Sequence, residues 1–399
     1  MKKIIKLIVI LSILLFLSGC QNYMEINNYA IVSGISIDKS ESNKDMYTVG
    51  IQIMNAKKDE ESDNSLITFY KANGNTIFEA LQKILLDSPK ELYLGHNEVV
   101  VIGEELLKEK NPLDYLDYFM RDSKVEKDSF IMIAKESNAH EILKIITPLE
   151  TIPSRNLKAT LSVSDTYSGT QSIVTIDEFI SDLESKGSDA ILPAVSITGY
   201  KKDGDKMDNI KESDPKTKLR FETLGYFKDN KLSGYLSSDE SLGFNFLADT
   251  PNQTYISVKC DSKNYATVSV NNAKLEEKLS LKNGKPKANI KLNVEVDLSE
   301  YNCNADFVKN NKKIKGLEKK LNKKIENTLK NTVDKLYKKE KTDVLKYGSK
   351  FYEQKYKLMK KYNIKKEDIR EDIRFNFNVK SKINSVELSV RSVKENTNE

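Results

Sequence analysis

Five apolar residues, Ile290, Leu292, Val294, Val296 and Leu298, alternate with Lys291, Asn293, Glu295 and Asp297. A strand points successive side chains to opposite faces, so this segment must have one dry face and one wet face. Asn283-Gly284 just before it suits the left-handed backbone of a tight hairpin turn. Residues 306–340 then carry Ile314, Leu317, Leu321, Ile325, Leu329, Val333 and Leu336 in steps of three or four, a long helix with a narrow apolar stripe. A second helix is expected over 343–362. Strands return with Ile373, Phe375, Phe377 and Val379, and after them Val386, Leu388 and Val390. The dry face of such a sheet needs a cover, and the long helix supplies one. The C-terminal part is therefore expected to be α+β, with helices on one face of an antiparallel sheet.

Residues 25–200 follow another pattern, with strand and helix signals in alternation. Ala30–Ile37 reads as a strand whose Gly34 marks a bulge or a close backbone approach. Tyr47, Val49, Ile51 and Ile53 share one parity, so Met46–Asn55 reads as a half-buried strand. Lys57–Asn64 reads as a charged surface loop. Thr76 with Glu79, and Thr175 with Glu178, form capping boxes. The first opens a helix with the stripe Ile77, Phe78, Leu81, Ile84 and Leu85. The second opens one with Ile176, Phe179, Ile180 and Leu183. Glu98–Ile102 contains four consecutive β-branched residues and Phe130–Ala134 is another apolar run, as strands buried on both faces would be. Pro112–Arg121 reads as a helix, Asn138 with Glu141 caps another to about Ile146, and Ala190–Ile197 closes the region as a strand.

Residues 201–217 hold almost no apolar side chain and read as a linker or exposed loop. Leu219–Phe227 and Leu232–Leu236 form a hairpin, followed by a short helical turn near Ser241–Leu247. The expected division is 1–19 signal peptide, 20–200 N-terminal mixed α/β domain, 201–217 linker, 218–262 small middle β-rich domain, and 263–399 C-terminal α+β domain.

Lys2, Lys3 and Lys6 precede an apolar run from Leu7 to Leu17, broken only by Ser12. Eleven helical residues rise roughly 16 Å, short of the roughly 30 Å of a bilayer's hydrocarbon core. The run therefore reads as the apolar core of a signal peptide. Leu17-Ser18-Gly19-Cys20 behind it looks like a lipobox, which puts a diacylglyceryl-modified thiol at the first mature position. Two acyl chains anchor a protein that one chain would hold only marginally.

The chain has 399 residues and a net charge of +5, with 39% apolar residues, 19 Tyr and 14 Phe. That composition can build cores. Charge is segregated: 309–341 holds thirteen Lys against Glu318, Glu326, Asp334 and Glu340, a local +9. A solvated helix face is the default reading, anionic headgroups or an acidic partner the others. Nucleic acid is not expected as a partner of an exported chain. Besides Cys20 there are only Cys260 and Cys303. They either pair or stand as two buried free thiols, the second being the preferred reading.

Several segments together carry a resemblance. They are Glu25-Ile26-Asn27, AIVSGISID (Ala30–Asp38), SPKELYLGHNEVVVIGEEL (Ser88–Leu106), DYFMRD (Asp117–Asp122), ITPLETIPS (Ile146–Ser154), LPAVSITG (Leu192–Gly199), LSGYLS (Leu232–Ser237) and ESLGFNFL (Glu240–Leu247). In this order behind a lipobox, they make the chain similar to the Ger(x)C family, the lipoprotein C-subunits of nutrient germinant receptors in endospore-forming bacteria. Members often carry Trp in the C-terminal third, and this chain has none. The resemblance implies three mixed α/β domains and integral-membrane A and B receptor subunits as partners. It also implies a place at the outer face of the spore inner membrane.

Catalytic candidates are few. His96 precedes a buried strand in Leu94-Gly95-His96-Asn97, where a turn hydrogen bond explains it as well as a general base. His140 falls in the first turn of a helix, a surface or capping position. Glu104 and Glu105 are adjacent and do not face each other on a helix. The acidic loop Asp59–Asp63 lacks a calcium-loop pattern. No P-loop, GxGxxG or GxSxG is present. No Cys/His cluster suggests zinc. The expectation is a lipid-modified Cys20, no catalytic residue, no cofactor and no metal. The function expected is a non-enzymatic receptor subunit needed for assembly or signalling in germination. The rivals are a lipid-anchored extracytoplasmic solute-binding protein, which would need two similar lobes, and a cell-envelope hydrolase using His96, Glu104 or Glu105.

Overall fold

A computed structural model of the chain describes residues 4–5, 28–55, 66–248, 253–303 and 311–386. The lipobox and Cys20, the loop 57–64 with its acidic cluster, and Leu388 and Val390 lie outside the described residues.

Nine strands form the first sheet. They are β1 (Tyr29–Lys39), β2 (Tyr47–Met54), β3 (Ile67–Gly74), β4 (Glu91–Tyr93), β5 (Val99–Gly103), β6 (Phe130–Ala134), β7 (Ile191–Gly199), β8 (Thr217–Lys228) and β9 (Lys231–Tyr235). Their order is β3-β2-β1-β5-β6-β7-β8-β9, with β4 paired beside β1. The centre, β1-β5-β6-β7, is parallel, and antiparallel pairs flank it on both sides. Parallel neighbours need crossovers, and helices supply them on both faces. In β5 every residue is buried. Val100 and Ile102 join the core under helices Ile77–Ile84, Leu113–Arg121 and Ile176–Glu184. Val99 and Val101 join the opposite core, under Ala139–Ile142 and Pro153–Ser168.

The same two-sided cover corrects the reading of β2. Gly50 and Gln52, expected on a wet face, are buried as well. Gln52 Nε2 donates to the Leu143 carbonyl (3.1 Å), and its Oε1 accepts from the Ser154 N–H (3.0 Å). Gly34 stands at a β-bulge, and a Cβ there would lie 3.0 Å from Leu143 Cδ2. It is therefore both the bulge and the close approach. Thr76 caps its helix through the Glu79 N–H (3.1 Å), but the Glu79 carboxylate reaches back to Asn75 (2.8 Å). Phe78, expected in the buried stripe, is 54% exposed and lies against Tyr118. The Thr175 box forms in full.

Four strands form the second sheet: β10 (Thr254–Lys259), β11 (Tyr265–Lys282), β12 (Lys285–Tyr301) and β13 (Arg374–Val386). β12 alternates as its sequence demands, with Ile290, Leu292, Val294, Val296 and Leu298 all buried. Leu317, Leu321, Ile325 and Leu329 of the long helix Asn311–Val333 cover that dry face. The helix continues to Glu340 with wider turns. Asn283 and Gly284 both have positive φ, as do Asp229 and Asn230 between β8 and β9. The sheet is antiparallel only through β12. β13 pairs parallel to it, because the helices between them carry the chain back to where β12 began.

Sheet pairing does not follow the expected division at 201–217. β8 and β9 extend the first sheet, β10 begins the second, and so the span 218–262 is shared between them. Residues 201–217 are pinned rather than free. Buried Asn209 donates to the Ile146 carbonyl (2.9 Å) and the Thr217 carbonyl (3.0 Å).

Candidate functional site

The enzyme candidates are dispersed. The His96 side chain is half exposed, with Nε2 3.8 Å from Glu98, which Arg155 also approaches at 3.3 Å. Glu105 points to solvent. Glu104 is mostly buried, which works against its charge. Lys108 at 2.6 Å and the Glu136 N–H at 2.9 Å outweigh that and hold its carboxyl below the ordinary range. Among the described residues no three His, Cys, Asp or Glu side chains converge as metal ligands.

His140 has a specific partner that the sequence did not reveal. Asp38 ends β1 and is buried. Its carboxylate accepts the N–H groups of Ala139 (2.7 Å) and His140 (3.0 Å), and His140 Nδ1 lies 2.9 Å away. The carboxylate thus caps a short helix and fixes the imidazole. Two open clefts of about 270 and 280 Å³ flank the pair, lined by Lys39, Glu41, Ser42, Lys44 and Asn138 among others. Among the described residues no hydroxyl is hydrogen-bonded to the imidazole. A charged residue closing an apolar strand was the only sequence signal.

The most elaborate polar cluster joins the two sheets. Asp189, just before β7, is buried. Its carboxylate accepts from the Thr342 hydroxyl (3.0 Å), the Asp343 N–H (2.7 Å) and the Arg370 guanidinium (3.1 Å). Asp343 is buried beside it and accepts from the Tyr337 hydroxyl and from the N–H groups of Tyr347 (2.8 Å) and Gly348 (2.6 Å). Burial raises its carboxyl to about 6, although those three donors pull the other way. The single Thr342 O–H is shared with the Phe227 carbonyl in β8 (2.7 Å). Gly187 lets the chains pass: its φ is +77°, and a Cβ there would stand 2.4 Å from Lys366. Buried charges persist only when paired and hydrogen-bonded, and this set meets that condition. It ties the first sheet to the helices that close the second.

The remaining cysteines are joined. Cys260 after β10 and Cys303 after β12 form a disulfide with Cα atoms 6.3 Å apart, which overturns the preference for free thiols. Both residues follow strands that run the same way and finish at the same end of the sheet, a proximity that 43 residues of separation conceal in the sequence.

Comparison with known proteins places this architecture. The family model described as spore germination protein N-terminal domain matches residues 22–197. The model described as spore germination B3/GerAC-like, C-terminal, matches residues 222–387. Spore germination protein KC of Bacillus subtilis (strain 168) is 30% identical over 88% of this chain and 87% of its own length. Spore germination protein B3 of the same organism is 25% identical over 86% and 87%. The crystal structure of the GerBC protein shares the fold, with a TM-score of 0.53 and 20% identity over 88% of this chain and 96% of that one. With two domain models spanning nearly all the described residues, the chain belongs to the Ger(x)C family of spore germination proteins, the germinant receptor C-subunits.

Proposed function

We propose that the chain is a lipid-anchored, non-enzymatic subunit of a nutrient germinant receptor, needed for assembly or signalling in germination. It sits on the outer face of the spore inner membrane, held by acyl chains on Cys20, beside integral-membrane A and B subunits. The observation that carries this reading is the match of both domain models, beginning two residues after Leu17-Ser18-Gly19-Cys20. Among the described residues no helix is long and apolar enough to cross a membrane. The lipid tether is supported by the lipobox at Leu17–Cys20. A role without chemistry is supported by the occupied state of the candidates: His140 is fixed by Asp38 and Glu104 by Lys108. Two dissimilar sheets also fit a solute-binding pair of lobes poorly.

Deleting the gene should abolish germination by one class of nutrient and leave others intact. A deletant that germinates normally with every nutrient refutes the role. Cys20→Ala should release the chain from the membrane fraction. A variant that stays wholly membrane-bound refutes lipid as the anchor.

A further inference from the structure

The long helix Asn311–Val333 spends one stripe on the sheet and turns another outward. Lys312, Lys315, Lys319, Lys323, Glu326 and Lys330 step by three or four and are all exposed. Residues so spaced share one helix face. From Lys315 to Lys330 the row runs about 22 Å at roughly 1.5 Å per residue. Lys315, Lys319, Lys323 and Lys330 make no ion pair with a described residue. Several lysines around the first sheet are placed differently. Lys83, Lys108, Lys206, Lys216 and Lys218 each meet a carboxylate three or four residues away. The charges of these four lysines of the long helix are met by no described carboxylate.

The row opens into a groove. Lys323 joins Lys259, Lys320, Lys324, Ser257 and Tyr265 around an open space of about 360 Å³ between the helix and the edge strand β10. The neighbouring cations are held in place. Lys320 donates to the Cys260 carbonyl (2.6 Å), Lys324 meets Asp239 (3.0 Å), and Lys259 stands over the Tyr265 ring. Tyr255 and Tyr265 are exposed on the same sheet, at 65% and 45%. Such amphipathic rings favour a boundary between water and apolar matter.

We propose that this lysine row and its groove seat against the phosphate groups of an anionic lipid surface. The inference rests on the lipid-anchored reading and gives it an orientation. Residues 21–28 span at most roughly 28 Å between Cys20 and β1, so a tethered body stays within reach of the lipid plane. An open row in which Lys315, Lys319, Lys323 and Lys330 meet no described carboxylate fits a plane of charges better than a folded acidic partner of fixed shape. Four to eight clustered lysines on an amphipathic helix suffice for attraction to anionic headgroups.

The test uses the chain from residue 21 onward, which keeps both sheets and every helix packed on them. Its sedimentation is measured with vesicles of phosphatidylcholine, with and without phosphatidylglycerol. Anionic vesicles should bind it at least about tenfold more tightly, and high salt should remove the difference. Lys315→Glu, Lys319→Glu, Lys323→Glu and Lys330→Glu together should abolish the preference. Lys206→Glu with Lys216→Glu and Lys218→Glu should leave it intact. Equal binding to both vesicle types overturns the proposal, as does an unaffected quadruple variant. Release by inorganic phosphate at matched ionic strength overturns it in favour of a free-phosphate site. Loss of a co-purifying receptor subunit in the quadruple variant, with no vesicle binding by the parent, overturns it in favour of an acidic protein. Acylation of Cys20, read by mass in cells, is independent of these arms, so failure of the anchor and failure of the docking face are told apart.

Discussion

The first sheet is covered on both faces, whereas the second is covered on one. In β5, neighbouring residues Val99 and Val100 enter different cores. In β12, neighbouring residues Ile290 and Lys291 divide between core and water, and Lys291 meets Glu276 at 3.2 Å. The two-sided sheet rests on two apolar cores. The one-sided sheet is half solvated, packs on one, and adds the disulfide. The buried charge cluster is shared between them. A thinner core gains more from a cross-link.

Three measurements would break or sharpen that contrast. The largest effect is expected from replacing both Cys260 and Cys303 by Ala. Releasing a closure of this length costs about 4 kcal/mol in the chain-entropy account. Calorimetry should find the loss confined to the second sheet. A uniform downward shift of one transition would mean that the two sheets melt as a unit. Next comes Asp189→Ala, which leaves the Asp343 N–H buried without its acceptor and the half-buried Arg370 guanidinium with only the more distant carboxylates of Asp229 (3.5 Å) and Glu371 (4.0 Å). A loss of about 3 kcal/mol is expected, with the sheets then unfolding at separate urea concentrations. A single transition of unchanged midpoint would show the junction to be passive. The smallest effect concerns pH. The Asp343 carboxyl lies at about 6 in the folded chain, above its ordinary 3.8. The folded state therefore binds the extra proton between about pH 4 and 6, and stability falls as pH rises through that window, by about 2 to 3 kcal/mol. Above 6 it levels off. Asp343→Asn should flatten this slope, and a slope unchanged in the variant would assign it to other groups.

The sequence was most readable where one periodicity ruled. The alternation around Ile290–Leu298 and the stripe from Leu317 to Leu336 sit in the structure where their spacing required. The crossover helix Pro153–Ser168 went unread because only Leu157 and Leu161 mark its buried face among Ser and Thr. β3 went unread because Lys71 and Asn73 break its apolar run and only Ile67 and Gly74 are buried. Buried Asp38 and Asp189 were invisible for another reason. Their partners lie 101 and 154 residues away, and a carboxylate's environment is a property of the fold. The disulfide was left open on the same ground. The family membership that the resemblance anticipated is what the matching domain models bear out, while the sharing of residues 218–262 between two sheets was foreseen by neither pattern nor resemblance.

The parallel return of β13 has a consequence for how the chain is made. β12 is available as soon as residue 301 has emerged, but its partner edge arrives only with residues 374–386. Until then the growing chain displays a long bare strand edge, and such edges recruit strangers. A ribosome that stops before residue 374, or a protease that removes β13, would release a product whose β12 edge is bare and sticky. Quality control of this protein therefore turns on β13.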